Sequence, residues 1–214
     1  MNILLFGPPG CGKGTQAAFL AEKLGIPAIS TGEMFRAECK AGTDLGRLAC
    51  SILSRGELVS DEIVNEIVAN RIAREDCATG FLLDGYPRTL PQAQAFSALL
   101  QQRGMADPFV IHLDVPACSL IKRLTARRQC PKCSHIYNLL TQPPKLEGIC
   151  DVDGRELITR DDDQEEVIRQ RLKAYEELTG PVLTWFVDQV RTIDGSAAPE
   201  RVFEEIERAV MAVA

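Results

Sequence analysis

Histidine is nearly missing from this chain: His112 and His135 are the only two in 214 residues. No His–Asp pairing is apparent, so chemistry that needs an imidazole general base has little to work with. Long apolar runs are absent too. No stretch approaches the ~20 residues needed to span a bilayer. The first apolar run is short and no basic region precedes it, which argues against a secretory signal; the expected location is the cytoplasm, with no membrane partner. Positive charge is in deficit, with 24 Lys and Arg against 30 Asp and Glu for a net charge of −6. That balance disfavours nucleic acid as the main partner. Internal repeats and low-complexity tracts are lacking. What remains, 45% apolar and 25% charged residues, is the mixture of an ordinary globular protein. The length fits one large domain carrying insertions better than two independent domains.

The most informative stretch is the first, MNILLFGPPGCGKGT. A short apolar run, Ile3 to Phe6, reads as a buried strand and meets a glycine-rich turn; after Thr15 the apolar residues fall at helical spacing. Strand, glycine loop and helix together make a phosphate-binding loop. Backbone N–H groups around Gly10, Cys11, Gly12, Gly14 and Thr15 and the helix N-terminus would form a nest for anionic oxygens, and Lys13 adds a mobile charge for the outer phosphates. Gly14 separates Lys13 from Thr15, where the generic pattern has Ser or Thr directly after Lys.

Strand-like runs recur near 26–29, at 81–83, at 109–115 and at 190–193, with amphipathic helical patterns between them. The alternation predicts an α/β fold with a parallel sheet covered on both faces. Ligands in such sheets lie beyond the carboxyl ends of the strands, so Gly7, Ser30, Asp84 and Val115 should share one rim. Residues 30–59 carry no strand signal and read as a helical insertion. There Thr31 reads as a helix cap and Arg36 as a surface charge on sequence alone. Ser60 opens a helix whose stripe is Ile63, Val64, Ile67, Val68 and Ile72. In GFLLDGYPRTLPQ the strand ends on Asp84, a carboxylate placed for a water-mediated Mg²⁺ contact, and Arg88 supplies a fork suited to phosphate; the plainer reading is a turn with an Asp–Arg pair. Arg123, Arg127 and Arg128 are expected on a helix running from about Ala117, with Arg123 and Arg127 on one face. Asp163 with Glu166 reads as a capping box for a helix over 164–179 that carries Arg171 and stops at Gly180–Pro181.

The eight cysteines fall into two sets. Cys11, Cys39, Cys50, Cys77 and Cys118 are scattered among regular segments and are expected to be reduced, packed thiols. Cys130 and Cys133 form one knuckle; sixteen residues later Cys150 and Asp153 repeat its spacing. That pattern fits a tetrahedral metal site. Asp153 is favoured over His135 as fourth ligand because the spacing selects it. Stretch 129–159 has few large apolar residues, so a metal clip would supply its missing stability. A closed four-ligand site points to structural Zn²⁺, although three thiolates also accept Co²⁺ or Fe²⁺.

GPPGCGKGT, STGEMFR, the DGYPR turn with Gln92, and TRDDDQEEVIRQR stand in the order and spacing of the adenylate kinases, and the resemblance covers essentially the whole chain. Tyr86 stands where that family more often has Phe. The resemblance implies ATP + AMP ⇌ 2 ADP, a role in adenine nucleotide balance, and a monomer. It implies a P-loop core (1–29, 60–125 and 164–214), an AMP-binding insertion (30–59) and a long-form lid with a metal knuckle (126–163). It implies AMP contacts from Thr31, Arg36, the backbone of Glu57, Leu58 and Val59, Gly85, Tyr86, Pro87, Arg88, Gln92, Arg160 and Arg171. On the ATP side it implies the loop with Lys13, together with Arg127, Ile136, Tyr137 and Ala197. Unaided, Arg160 and Arg171 would read as surface charges.

The AMP phosphate is already anionic near neutral pH, so the implied reaction needs no general base. Catalysis reduces to positioning two anions and offsetting their repulsion, with Lys13, Arg88, Arg123, Arg160, Arg171 and Mg²⁺, the last near Asp84. Two alternatives stand beside it: a kinase of the same architecture for UMP or CMP, and an ATPase fused to a zinc-ribbon nucleic-acid module. The acidic balance and the lack of an aromatic–basic patch around the knuckles oppose the second.

Overall fold

Period-two alternation decides how the first strand is buried. In β1 (Asn2–Phe6), Ile3 and Leu5 point to one face of a sheet, and Leu4 and Phe6 to the other; all four are buried. A computed structural model describes residues 1–212. β1 pairs in parallel with β3 (Phe81–Asp84) and β4 (Phe109–Asp114) on its two sides. β2 (Ala28–Ser30) and β7 (Val190–Asp194) complete a five-stranded parallel sheet in the order β2–β3–β1–β4–β7.

Both faces are covered, as a parallel sheet requires. On one face α1 (Lys13–Leu24) and the C-terminal helix Pro199–Met211 bury Leu20, Val202, Ile206 and Val210 against Ile3, Leu5 and Ile111. On the other, α4 (Asp61–Ile72) and α5 (Leu90–Gln102) bury Val64, Val68, Phe96 and Leu100 against Leu4, Phe6 and Leu83. The second face extends under the insertion, where α2 (Thr31–Ala41) contributes Phe35 and α3 (Asp44–Leu53) contributes Ala49.

The chain over β5 (Arg127–Gln129) and β6 (Ile136–Asn138) forms a separate antiparallel pair. Its buried cluster is only Cys130, Tyr137, Cys150 and Leu157. So small an apolar core cannot offset the ordering of thirty-odd residues without another source of stability. Among the described residues no helix is long and apolar enough to cross a membrane.

Four local expectations need correction. α6 (Ala117–Thr125) ends before Arg127, which lies with Arg128 in β5, so Arg123 and Arg127 do not share a helical face. The helix expected over 164–179 is α7 (Glu165–Ala174) followed by a π turn, Tyr175–Thr179. Asp163 does not cap it: Gln164 holds that position, and the Asp163 carboxylate is taken by arginines. Cys39 and Cys50 are not separate thiols, because their sulfurs meet across α2 and α3.

Candidate active site

The first βα turn sets the site. Gly12 precedes α1 at φ 104°, a left-handed conformation that a side chain would strain, and no side chain caps the helix. The helix mouth is therefore left to anions. Lys13 folds back over the loop, its Nζ donating to the carbonyls of Gly7 (2.7 Å) and Pro8 (3.1 Å). Cys11 is buried under the loop, and burial pushes its thiol pKa up, with Lys13 opposing. Asp84 ends β3 beside it: Leu5 pairs with Asp84, and Ser30 pairs with Asp84 from the other side.

A cavity of about 620 Å³ opens above this rim. Its wall includes Gly10, Cys11, Gly12, Lys13, Gly14, Thr15, Arg36, Leu58, Asp84, Gly85, Tyr86, Pro87 and Arg88 from the sheet side and the insertion. Arg123, Arg127, Ile136, Tyr137, Arg160, Arg171 and Ala197 complete the wall. The remaining expected residues, Thr31, Glu57, Val59 and Gln92, line a small adjoining recess that shares Leu58, Gly85 and Arg88 with the main cavity. Sequence segments more than a hundred residues apart thus converge on one space.

Arginines dominate it. Arg88 donates from Nε to the Gly85 carbonyl at 2.7 Å, the same oxygen that accepts from the Thr31 hydroxyl at 2.9 Å. Gln92 accepts from the Arg88 backbone N–H at 2.8 Å and donates to Asp61 at 2.7 Å. Arg127 makes a two-pronged contact with Asp163, at 2.8 Å from Nε and 2.5 Å from Nη2. Arg171 reaches the Asp162 carboxylate at 2.9 Å and Asp163 at 3.4 Å. Arg160 is 8% exposed; its Nε donates to Gln129 at 2.5 Å, and its Nη2 is buried with no partner.

Burial first, and crowding by like charges second, explain the titration behaviour. Seven cations, Lys13, Arg36, Arg88, Arg123, Arg127, Arg160 and Arg171, line the cavity against the carboxylates of Glu33, Asp84 and Glu200, with Asp162 and Asp163 bound to Arg127 and Arg171. Burial, then Arg127 and Arg36, brings Arg160 down to about 9 against the pull of Asp162 and Asp163. Burial lowers Arg88 and Arg171 as well; Arg171 further lowers Arg88, while Asp162 supports Arg171. A guanidinium stays charged at neutral pH, so the shifts report buried cations, two of them crowded further by neighbouring arginines. A polyanion placed there would raise each of them.

Arg123 stands apart from this cluster. Its two Nη atoms donate to the carbonyls of Gly195 and Ser196, both at 3.0 Å, beside Ala197. Several supporting residues carried no signal in the sequence: Gln129 and Asp61 orient site residues from a distance. Gln16 is buried, donates to the Pro199 carbonyl at 2.9 Å, and leaves Oε1 without a partner. Tyr175, on the cavity wall, meets His112 at 3.2 Å.

The second centre lies in the β5–β6 unit. One ligand atom each from Cys130, Cys133, Cys150 and Asp153 lies within 4.8 Å of the others. The Cys133 and Cys150 sulfurs are 3.5 Å apart, and the Asp153 oxygens are 3.2 and 3.3 Å from Cys130 Sγ. Edges of this length fit a tetrahedron about an ion with ~2.3 Å metal–sulfur bonds. Backbone N–H groups of Lys132 and Cys133 point at Cys130 Sγ, both at 3.4 Å, as they would toward a thiolate. His135 stands outside the group, its ring set against Tyr137 with centroids 4.7 Å apart. The four residues could therefore hold a metal, with Asp153 as the fourth member.

Comparison with known proteins agrees with this geometry. A family model described as adenylate kinase matches residues 5–191. An adenylate kinase of Trichlorobacter lovleyi is 54% identical over 186 residues, 87% of each chain. One from Thermosipho melanesiensis is 49% identical over 208 residues, 96% of this chain and 97% of the relative. One from Caldanaerobacter subterraneus subsp. tengcongensis is 44% identical over 213 residues, 99% of this chain and 96% of the relative. With its glycine loop, arginine-lined cavity and four-residue knuckle, matched by relatives over nearly its whole length, the chain belongs to the adenylate kinase family.

Proposed function

We propose that the chain catalyses ATP + AMP ⇌ 2 ADP and so balances the adenine nucleotides, as a monomer whose single cavity holds both substrates. The observation that carries this reading is the unpartnered, buried Nη2 of Arg160, in a cavity whose wall combines several arginines with the glycine loop. Such an atom is costly unless an anion arrives to accept from it. ATP takes the loop, with the backbone N–H groups of 10–15 and Lys13 on its phosphates. AMP takes the recess of Thr31, Glu57–Val59, Gly85–Pro87 and Gln92, its phosphate among Arg36, Arg88, Arg160 and Arg171.

In this reading Arg123 and Arg127 take roles opposite to the first expectation. Arg127, locked to Asp163 within the cluster, faces the transferring phosphoryl group. Arg123, held by the carbonyls of Gly195 and Ser196, sits at the base end of ATP beside Ala197, with Ile136 and Tyr137 across from it. The AMP phosphate oxygen attacks as an anion, so no proton has to be removed. The chain's work is alignment and charge compensation. Asp84, a hard oxygen donor at the rim, would hold Mg²⁺ that arrives with ATP, which supplies further positive charge. Cys130, Cys133, Cys150 and Asp153 would hold Zn²⁺ as a structural clip for a lid over 126–163, against a core of 1–29, 60–125 and 164–214 and an AMP insertion over 30–59.

The test is ADP formation from ATP with AMP, UMP, CMP and GMP offered in parallel, using the parent chain and Lys13→Met. The expected result is turnover with AMP alone, lost in the variant while its fold is retained. Equal turnover with UMP or CMP, or a fully active variant, would overturn the reading.

A further inference from the structure

The AMP-side insertion contains a feature the phosphotransfer reaction does not use. α2 and α3 are joined by Gly42 and Thr43, and Thr43 fixes the corner: its hydroxyl accepts from the Gly46 N–H at 2.9 Å and contacts the Glu38 carboxylate at 2.7 Å. Gly46 lets the helices approach, since a Cβ there would overlap the Glu38 carbonyl. This close approach sets Cys39, in the last turn of α2, opposite Cys50 of α3 with their Cα atoms 5.7 Å apart, within the span a disulfide bridges. Cys50 is exposed, so a small oxidant can reach it. The other six cysteines are free thiols, three of them in the metal knuckle. Next to Cys39, Lys40 donates to the carbonyl of Pro131 in the knuckle at 3.1 Å, so the same helix end also touches the lid.

We propose that Cys39 and Cys50 form a reversible thiol–disulfide switch that stiffens the AMP-side insertion when oxidised. The Cys50 thiolate attacks one sulfur of a small disulfide, such as glutathione disulfide, and expels one thiolate. The Cys39 thiolate then displaces the second thiol from the mixed disulfide. Two protein thiols are oxidised, one glutathione disulfide is reduced to two thiols, and the two protons pass to the released thiolates. A reductant reverses both steps. Closing the loop between positions 39 and 50 restricts the opened state of α2 and α3 on the order of 100-fold. Because α2 carries Thr31 and Arg36 and α3 leads into 57–59, less ordering is left for AMP to impose when it binds. This last step rests on the function proposed above.

The experiment uses the full chain equilibrated with glutathione disulfide or with a phosphine reductant. Free thiols are then alkylated, the peptides mapped by mass, and amide hydrogen exchange followed. The expected oxidised form shows a Cys39–Cys50 cross-linked peptide and exchange over 44–53 slower by about 100-fold. Sheet amides should not change. Cys50→Ser should abolish both effects, which separates them from any action of the reagents on the knuckle thiols. With AMP as acceptor, reduction should raise KM for AMP about threefold with KM for ATP unchanged. No cross-link, a cross-link without slowed exchange, a Cys50→Ser chain that responds like the parent, or an unmoved KM for AMP would overturn the switch. A chain that turns over no AMP but shows the cross-link and slowed exchange would fault the proposed reaction and leave the switch standing.

Discussion

Arg160→Met separates what the site needs for stability from what it needs for chemistry. Arg160 is buried beside Arg127 and Arg36, and its fall from the ordinary arginine value to about 9 corresponds to roughly 5 kcal/mol of unfavourable work at most, chiefly desolvation. Met keeps most of the volume, and it removes the orphaned Nη2 while giving up one hydrogen bond to Gln129. That bond is worth about 1–2 kcal/mol, and Gln129 Oε1 loses its partner. Replacing a buried ion by a well-packed apolar side chain stabilises by about 1–4 kcal/mol in comparable cases. The expected net gain is about 1–3 kcal/mol, read as a Tm roughly 2–12 °C above the parent for a chain of this size. Phosphoryl transfer should fall by about a thousandfold, the scale for losing one preorganised charge on the reacting group. Added bisubstrate dinucleotide should raise Tm strongly in the parent and little in the variant. Calorimetry with and without that ligand reads all of this except turnover. A variant less stable than the parent, or one equally stabilised by the ligand, would refute the idea that Arg160 waits for an anion.

Chelation should loosen 126–163 and lower the melting temperature before the sheet is touched; an unchanged melting curve after verified metal loss would count against a structural metal. Metal analysis of His135→Ala and Asp153→Ala should show normal content in the first and loss in the second, reflecting which side chain completes the knuckle. Burial alone would raise Asp162, but Arg171, Arg127, Arg36 and Arg160 outweigh it and hold its pKa below the usual carboxylate range. Its contribution is therefore complete above its unfolded value of about 3.9 and disappears as pH falls through the lower folded value. Asp162→Asn should lower stability at pH 7, and the loss should shrink as pH falls through the folded value, with urea titrations at pH 7 and across the acid range as the check.

Much of this architecture is legible in the chain because local signals and global topology agree. The apolar runs at 1–6, 81–83 and 109–115 become β1, β3 and β4, since short β-favouring runs between helical segments have one stable arrangement, a covered parallel sheet. The glycine loop and the paired knuckles are legible because their chemistry fixes spacing along the sequence. What stays hidden depends on contacts across it. Nothing around position 127 distinguishes a helix that continues from one that yields to β5, because the choice is made by Asp163, 36 residues away. The same contact removes Asp163 from the cap that its spacing to Glu166 suggests. The π turn after Ala174 follows from packing, with Thr179 donating to the Arg88 carbonyl at 3.0 Å. Cys39 and Cys50 look like strangers in the sequence, and only the glycine at 46 lets two helices bring them together.

The crossing of the lid's two connecting segments is tied by reciprocal backbone bonds between Gln129 and Ile158, both 2.9 Å. Arg127 and Arg160 leave the chain within two residues of that tie. Two of the cavity's guanidinium groups are thus anchored at the root of the antiparallel unit. Any displacement of that root carries both groups with it, so the cationic wall and the cysteine knuckle share one foundation.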